Sequence, residues 1–331
     1  MSGAHASGGG PSRDAIVATA QASIARGSRS FAAASRLFGR RNRERAWLLY
    51  AWCRACDDIA DGQDHGHGMT PGDGPARLAE ITGKTEAALA GAVTGDSAFD
   101  ALRIFAAEVD LPAALPRDLI AGFALDAAEW RPQSEDDLYR YCYHVAGVVG
   151  CMMALAMGVD PHDEATLDRA CDLGLAFQLA NIARDVGEDA RAGRCYLPQD
   201  WLDQAGIPAD DVLAPEHRVK LGELGKRLAE RAAAYEASAR FGTPALPFRS
   251  AWAVLAAADI YGAIARAVAA LGPRAWDKRV ATSGSAKIGM MGRAWGQAMR
   301  RHTLYPIMAR DTTLWTRPRA RLVAVVNAAV T

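Results

Sequence analysis

The sequence predicts an all-α protein, on three observations. Apolar residues recur at helical period along nearly the whole chain. No run of alternating β-branched and aromatic residues is bounded by hairpin turns, and the breaks between periodic segments are short and rich in Gly and Pro. Of the 331 residues half are hydrophobic, 23% are charged and 7% are aromatic, a composition that excludes wholesale disorder and supplies a large core.

In chain order the pattern predicts helices at 14–26, 28–38, 43–61, 76–91, 97–109, 114–128, 135–158, 163–190, 217–241, 247–271, 285–300 and 317–329. Residues 1–13 lack an apolar run and read as a loose tail ahead of a single helical domain over 14–331. Gly62 to Pro75 is a Gly-rich loop, Leu111-Pro112 and Leu115-Pro116 break a helix pair, and Gly193 to Pro215 is irregular around three prolines. None of these is long enough to link two domains, and neither a repeat nor a sustained heptad is present. The run from Val145 to Val159 falls short of the ~20 residues a membrane span needs, so it reads as a buried core helix.

Charge and cysteines exclude several classes. The 38 basic and 38 acidic residues cancel, and no Lys/Arg block offers phosphate neutralisation, so no nucleic-acid partner is expected. Six dispersed cysteines without a secretory signal indicate reduced thiols in the cytoplasm. Cys53-x-x-Cys56 lacks the further ligands of a zinc site and the βαβ setting of a redox site. His65 and His67 read as solvated loop residues, and His144 as a packing or hydrogen-bonding one. Neither a P-loop nor a Rossmann fingerprint occurs.

Chemistry concentrates in two acidic clusters. Tyr50 to Asp61 (YAWCRACDDIAD) ends an otherwise apolar helix, and Asp57 and Asp61, four residues apart, share one of its faces with a rise of ~6 Å between them. Like charges there repel and oppose the helix dipole, so a cation is expected to compensate. Alone, such a pair is an ordinary solvated helix end. The second cluster changes that reading: Gln178, Asn181, Asp185 and Asp189 fall at i, i+3, i+7 and i+11, a polar stripe on a helix whose other positions (Leu175, Ala176, Leu179, Ala180, Ile182) are apolar. Polar groups placed inside a protein need partners. Carboxylates on two helices suit Mg²⁺ (or Mn²⁺) bridging a diphosphate, with Arg54, Arg184, Arg191 and Arg194 contacting its oxygens; a purely structural polar network is the alternative.

At these residues the chain resembles the squalene/phytoene synthase family over about residues 14–300. Ser28-Arg29-Ser30-Phe31 is similar to the family's S-K-S-F element with Arg for Lys. Tyr50 to Asp61 resembles its first Asp-rich motif, Tyr141 to Gly150 (YCYHVAGVVG) its Y-C-Y-x-V-A-G-x-V-G signature, and Gln178 to Asp189 its second Asp-rich motif. The first motif also fits chain-elongating prenyltransferases. Their F-Q-x-x-D-D-x-x-D differs from Phe177-Gln178-Leu-Ala-Asn181-Ile, which favours head-to-head condensation.

The resemblance implies a single-domain isoprenoid-synthase fold around an apolar cavity, and prenyl diphosphates as substrates. It implies Asp57, Asp61, Asn181, Asp185 and Asp189 as Mg²⁺ ligands or their immediate partners, and Arg29, Arg54 and Arg184 as diphosphate holders, with Arg279 a further candidate. Ser28, Tyr50, Tyr143 and Gln178 would line the reacting centre, Tyr143 steering the cation, with Tyr261 a weaker candidate. It further implies joining of two geranylgeranyl diphosphates without NADPH; a farnesyl diphosphate enzyme of the squalene type and a non-catalytic helical scaffold are the alternatives. Lipophilic substrates and the apolar Leu322 to Val330 suggest peripheral contact with the cytoplasmic membrane face; oligomeric state is not legible.

Overall fold

The computed structural model describes residues 10–27, 34–62 and 74–318, and among these no strand occurs. The chain divides into two compact units, Met1–Ala113 and Ala114–Thr331.

In the first unit α1 (Arg13–Gly27), α2 (Arg40–Asp61) and α4 (Ser97–Val109) pack on one another, and α3 (Gly74–Leu89) packs on α2 and α4. The apolar face of α1 (Ile16, Val17, Ala20, Ile24) and that of α2 (Leu48, Leu49, Trp52, Cys56) are buried, as helical period requires. Arg13, assigned above to the tail, instead opens α1: its guanidinium donates to Glu108 (2.6 Å) and Glu44 (2.8 Å), and Arg45 donates to the other Glu108 oxygen at 3.0 Å. That long-range ion cluster is why the helix starts one residue earlier than its apolar pattern indicates. The helix expected at 28–38 falls mostly outside the described residues; Ala34 and Ser35 are helical and a turn follows.

The second unit is built on α8 (Glu164–Arg191), a 28-residue helix capped by the Asp163 side chain. The unit also holds α5 (Ala114–Ala127), α6 (Glu135–Cys142), α7 (Val148–Ala156), α10 (Arg218–Arg240), α11 (Phe248–Leu271) and α12 (Gly284–Met299), with short α9 (Gln199–Ala205) and α13 (Arg301–Leu304); α6, α7, α10 and α11 pack on α8, α5 on α7 and α12 on α11. Helix α6 starts at a capping box formed by Ser134 and Asp137, and it continues into α7 through one π-helical turn, Tyr143–Gly147. The expected helix 135–158 is therefore one rod with a widened turn in its middle.

The glycines of the YCYHVAGVVG segment explain how that rod meets α8. A Cβ on Gly150 would strike the Ala170 carbonyl, one on Gly147 would lie 2.9 Å from Cys171 Sγ, and one on Gly174 of α8 would strike the Ala146 carbonyl. Backbone approaches backbone here, which only glycine permits. Helix α11 is long and apolar enough to cross a membrane by composition, yet ten of its residues are buried and it packs on α8, α10 and α12.

Two elements escaped the sequence pattern. Helix α9 interrupts the stretch expected to be irregular; it follows Pro198 and buries Trp201 and Leu202 within seven residues, too short for a periodicity signal. After α13 the chain runs without helix as a strap over α8. Arg310 forks onto the buried Asp172 (2.6 and 2.9 Å), Arg317 pairs with Asp168 at 2.9 Å and with Glu164, and the Trp315 N–H donates to the Tyr235 hydroxyl. Arg317 and Pro318, expected to begin a helix, are in irregular backbone because these ion pairs hold the strap extended; the rest of 317–329 lies outside the described residues.

Candidate active site

The acidic end of α2 is neutralised from within the helix. Arg54, one turn back, donates to Asp57 Oδ2 at 2.7 Å and to Asp58, the compensating cation that the spacing called for. Asp57 is half-exposed and Asp61 exposed. The helix then closes on Gly62 at φ 64°, whose N–H returns to the Asp58 and Ile59 carbonyls. Tyr50 lies three turns before the end, half-buried, and burial raises its hydroxyl pKa above the ordinary phenol value.

On α8 the stripe Gln178, Asn181, Asp185 and Asp189 is half-buried while Leu179, Ala180, Ile182, Ala183, Val186 and Gly187 beside it are buried. Arg184 forks onto Asp185, with Nε–Oδ1 at 2.7 Å. The segment after α11 then crosses this helix end. Trp276 packs against Gly187 and donates its indole N–H to the Ala183 carbonyl at 2.9 Å, and Arg279 reaches Asp185 at 3.2 Å and Glu188 at 3.5 Å. Burial pushes the Asp189 carboxyl up to about 6; Arg194, 3.9 Å away, opposes this and the charges of Asp185 and Glu188 add to it. Arg191 lines a separate surface cavity with Trp276, Leu221 and Pro273. Tyr261 stacks on Phe177, ring centroids 4.0 Å apart, next to Gln178.

Tyr143 sits in the π turn, buried, and donates its hydroxyl to Asp118 Oδ2 at 2.5 Å; its ring lies 5.8 Å from that of Trp315. Burial and that bond push its pKa far above the phenol range, so it is a neutral donor. Two turns along α5 a second carboxylate, Asp126, accepts from Tyr141 (2.9 Å) and Tyr196 (3.3 Å). Sequence reasoning missed Asp118, Asp126, Trp276 and Trp315. Asp118 and Asp126 stand eight apart on one face of a helix, a signal that gains meaning only once the two tyrosines opposite are known. Ser28 and Arg29 lie outside the described residues, as do His65, His67 and Leu322 to Val330.

The donor atoms at both helix ends are hard oxygens, the chemistry Mg²⁺ selects. Among the described residues no three His, Cys, Asp or Glu side chains converge on one point. Mg²⁺ typically takes one or two carboxylates and completes its shell with water and phosphate oxygens, so single carboxylate pairs fit it. The raised Asp189 carboxyl, crowded by like charges, is the kind of group a divalent cation relieves.

The chain's identity as a class follows from this arrangement and from comparison. The squalene/phytoene synthase family model matches residues 24–286, and the chain belongs to that family. It is similar to the 15-cis-phytoene synthase of Paracoccus sp., 47% identical over 305 residues covering 92% of this chain and 98% of the relative. It is also similar to that of Pantoea ananas, 45% identical over 302 residues covering 89% and 96%. Its fold matches a ligand-bound dehydrosqualene synthase with TM-score 0.76 at 26% identity, covering 87% of this chain and 98% of that one. It also matches squalene synthase HpnC from Alicyclobacillus acidocaldarius, TM-score 0.70 at 25% identity, covering 78% and 95%. The all-α isoprenoid-synthase fold implied by the motifs is thus present, in a family of synthases that use prenyl diphosphates.

Proposed function

We infer that the chain is a prenyltransferase that joins two geranylgeranyl diphosphates head to head to give phytoene, the entry step of carotenoid synthesis. The observation that carries this is the 44–47% identity to curated phytoene synthases over about nine-tenths of the chain.

Asp57 and Asp61 on α2, and Asn181, Asp185 and Asp189 on α8, would hold Mg²⁺ (Mn²⁺ being the natural substitute). When bound, the metal supplies Lewis-acid stabilisation of the charge that builds on departing diphosphate. Arg54, Arg184 and Arg279 form charge-assisted bonds with carboxylates in this structure, and their forked donors suit diphosphate oxygens equally. Exchange of those partners would deliver the arginines to substrate and leave the carboxylates to the metal.

In the reaction one substrate ionises and its allylic cation alkylates the double bond of the second. Loss of a proton gives the cyclopropyl prephytoene diphosphate; a second ionisation, rearrangement and deprotonation give phytoene with no reductant. Tyr143, held neutral by burial and oriented by Asp118, offers a fixed dipole and an aromatic face to a cation without a competing nucleophilic phenolate. Gln178 and Tyr50 present polar groups that orient the reacting ends, and the apolar flanks of α8 exclude water that would quench a carbocation.

Incubation of the purified protein with geranylgeranyl or farnesyl diphosphate and Mg²⁺, with and without NADPH, tests the proposal. Phytoene from the C20 substrate without NADPH is expected. A C30 hydrocarbon from farnesyl diphosphate alone would move the enzyme to the squalene branch.

A further inference from the structure

Exposed apolar side chains scattered singly over a surface need no explanation, but a concentration of them does. Of the ten large hydrophobic residues most exposed among the described residues, six fall between positions 288 and 308: Ile288, Trp295, Met299, Leu304, Ile307 and Met308. Ile288 is 72% exposed and Ile307 96%. Helix α12 is firmly seated, since Ala294 and Ala298 are buried against Leu255 and Ala256 of α11 and the Trp252 indole donates to the Met291 carbonyl at 2.8 Å. The exposure of Ile288, Trp295 and Met299 is therefore that of a firmly seated helix. Ile288, Trp295 and Met299, at i, i+7 and i+11, form one stripe beside that seated face.

Charge on the same segment is equally biased. Between Lys278 and Arg310 the chain carries seven Lys and Arg and no Asp or Glu, in a protein whose charges cancel overall. Arg279, Arg301 and Arg310 are engaged with the protein. Among the described residues Lys287 and Arg293 have no acidic partner and the Arg300 guanidinium meets only the Gly296 carbonyl of its own helix. Arg293 and Arg300, seven apart, run along the other side of the outward face from the apolar stripe, and between them the backbone is bare at Gly289, Gly292 and Gly296, where a Cβ would meet nothing. An apolar stripe that inserts beside arginines that reach headgroups is the design of a helix lying in a bilayer interface.

We propose that α12 and the segment through Met308 form the surface by which this protein docks on an anionic bilayer. Ile288, Trp295, Met299, Leu304, Ile307 and Met308 enter the headgroup boundary, and Arg293 and Arg300 pair with acidic lipid. A second copy of the chain is the other occupant such a face invites, but two-fold pairing would bring the same basic residues against each other, which charge repulsion opposes. The surface is assigned on these residues alone. The lipophilic substrate class proposed above gives such a contact a purpose.

Sedimentation of the full chain with vesicles of phosphatidylglycerol and phosphatidylcholine, and of phosphatidylcholine alone, tests the surface. The wild type is expected to bind the anionic vesicles at least roughly tenfold more tightly, an advantage that shrinks with salt. The triple variant Ile288→Ser, Trp295→Ser, Met299→Ser is expected to lose roughly tenfold or more on both vesicles. Arg293→Gln with Arg300→Gln is expected to lose roughly tenfold on the anionic ones only. Melting curves and turnover of detergent-dispersed substrate, unchanged in all variants, establish that the fold is intact. Failure of the wild type to sediment, or binding of the triple variant at wild-type strength, overturns the proposal. So does a wild-type dimer that the triple variant converts to monomer, because the face would then belong to a second copy. Vesicle binding without phytoene formation would leave this surface standing and overturn the function instead.

Discussion

The two acidic helix ends meet one electrostatic problem by different means. On α2 the cation is local: Arg54 sits one turn before Asp57 and Asp58 and neutralises both from the same helix. On α8 the local Arg184 takes Asp185, and a second cation, Arg279, arrives from 94 residues downstream on a segment pinned by Trp276. The first end can be read from a twelve-residue window. The second exists only when α8, α11 and the segment between α11 and α12 are folded together, so damage to packing in the second unit should reach chemistry that the same damage in the first would spare.

The largest effect expected is on turnover. Asp57→Asn and Asp185→Asn each remove a charge that the proposed mechanism cannot replace, and each should lower turnover by about 10³-fold or more with an unchanged circular dichroism spectrum. A variant with near-normal activity in a radiolabelled-substrate assay removes that residue from the metal site and breaks the symmetry of the two ends.

Next in size is packing. Gly150→Ala drives a methyl group into the Ala170 carbonyl of α8 and should cost about 1–3 kcal/mol, read as a lower Tm and accompanied by lost turnover. Gly83→Ala, in the middle of α3 where a Cβ meets nothing, should instead stabilise by roughly 0.5–1 kcal/mol and leave turnover alone. Equal effects of the two substitutions on activity would mean that the close approach of α7 to α8 at Gly150 does not reach the site.

A smaller effect separates the cations. Arg279→Ala should raise KM roughly tenfold with kcat less affected, as expected for a charge-assisted contact to diphosphate. Trp276→Phe, which deletes the bond to the Ala183 carbonyl, should do the same to a lesser degree, and the double variant should fall short of additivity. Additive losses would mean that Trp276 does not position Arg279.

The smallest effect belongs to the first unit's ion cluster. Burial alone would raise the Glu108 pKa, but bonds from Arg13 and Arg45 outweigh it and hold the carboxyl below its ordinary value. A carboxylate depressed on folding stabilises the protein above its unfolded pKa, and the contribution is lost as pH falls through the lower folded one. Acid unfolding of the wild type should therefore steepen below the ordinary carboxylate range, and Glu108→Gln should flatten that limb by well under a few kcal/mol, since Arg13 is 37% exposed.

Much of this was legible in the sequence, for reasons that also mark its limit. Periodicity located α2, α8, α10 and α11 because each buries a face over five turns or more, and the Asp-rich spacings fixed which side chains share a helix face. The pattern was silent on α9, where seven residues give no period, and on the strap, whose course is set by Arg310 on Asp172 and Arg317 on Asp168 across more than 130 residues. It singled out Tyr143 but not Asp118, because a hydrogen bond across 25 positions leaves no trace in local spacing. The signature glycines were visible as a motif. Their role, letting the π turn and α7 lie backbone to backbone on α8, appeared only in three dimensions.

The most direct test is the product formed by the purified chain from geranylgeranyl diphosphate and Mg²⁺ in the absence of NADPH. Phytoene, lost on chelation of the metal and restored by its return, is the result expected. A C30 hydrocarbon made only from farnesyl diphosphate, or no product from folded protein, would contradict head-to-head condensation of two C20 substrates.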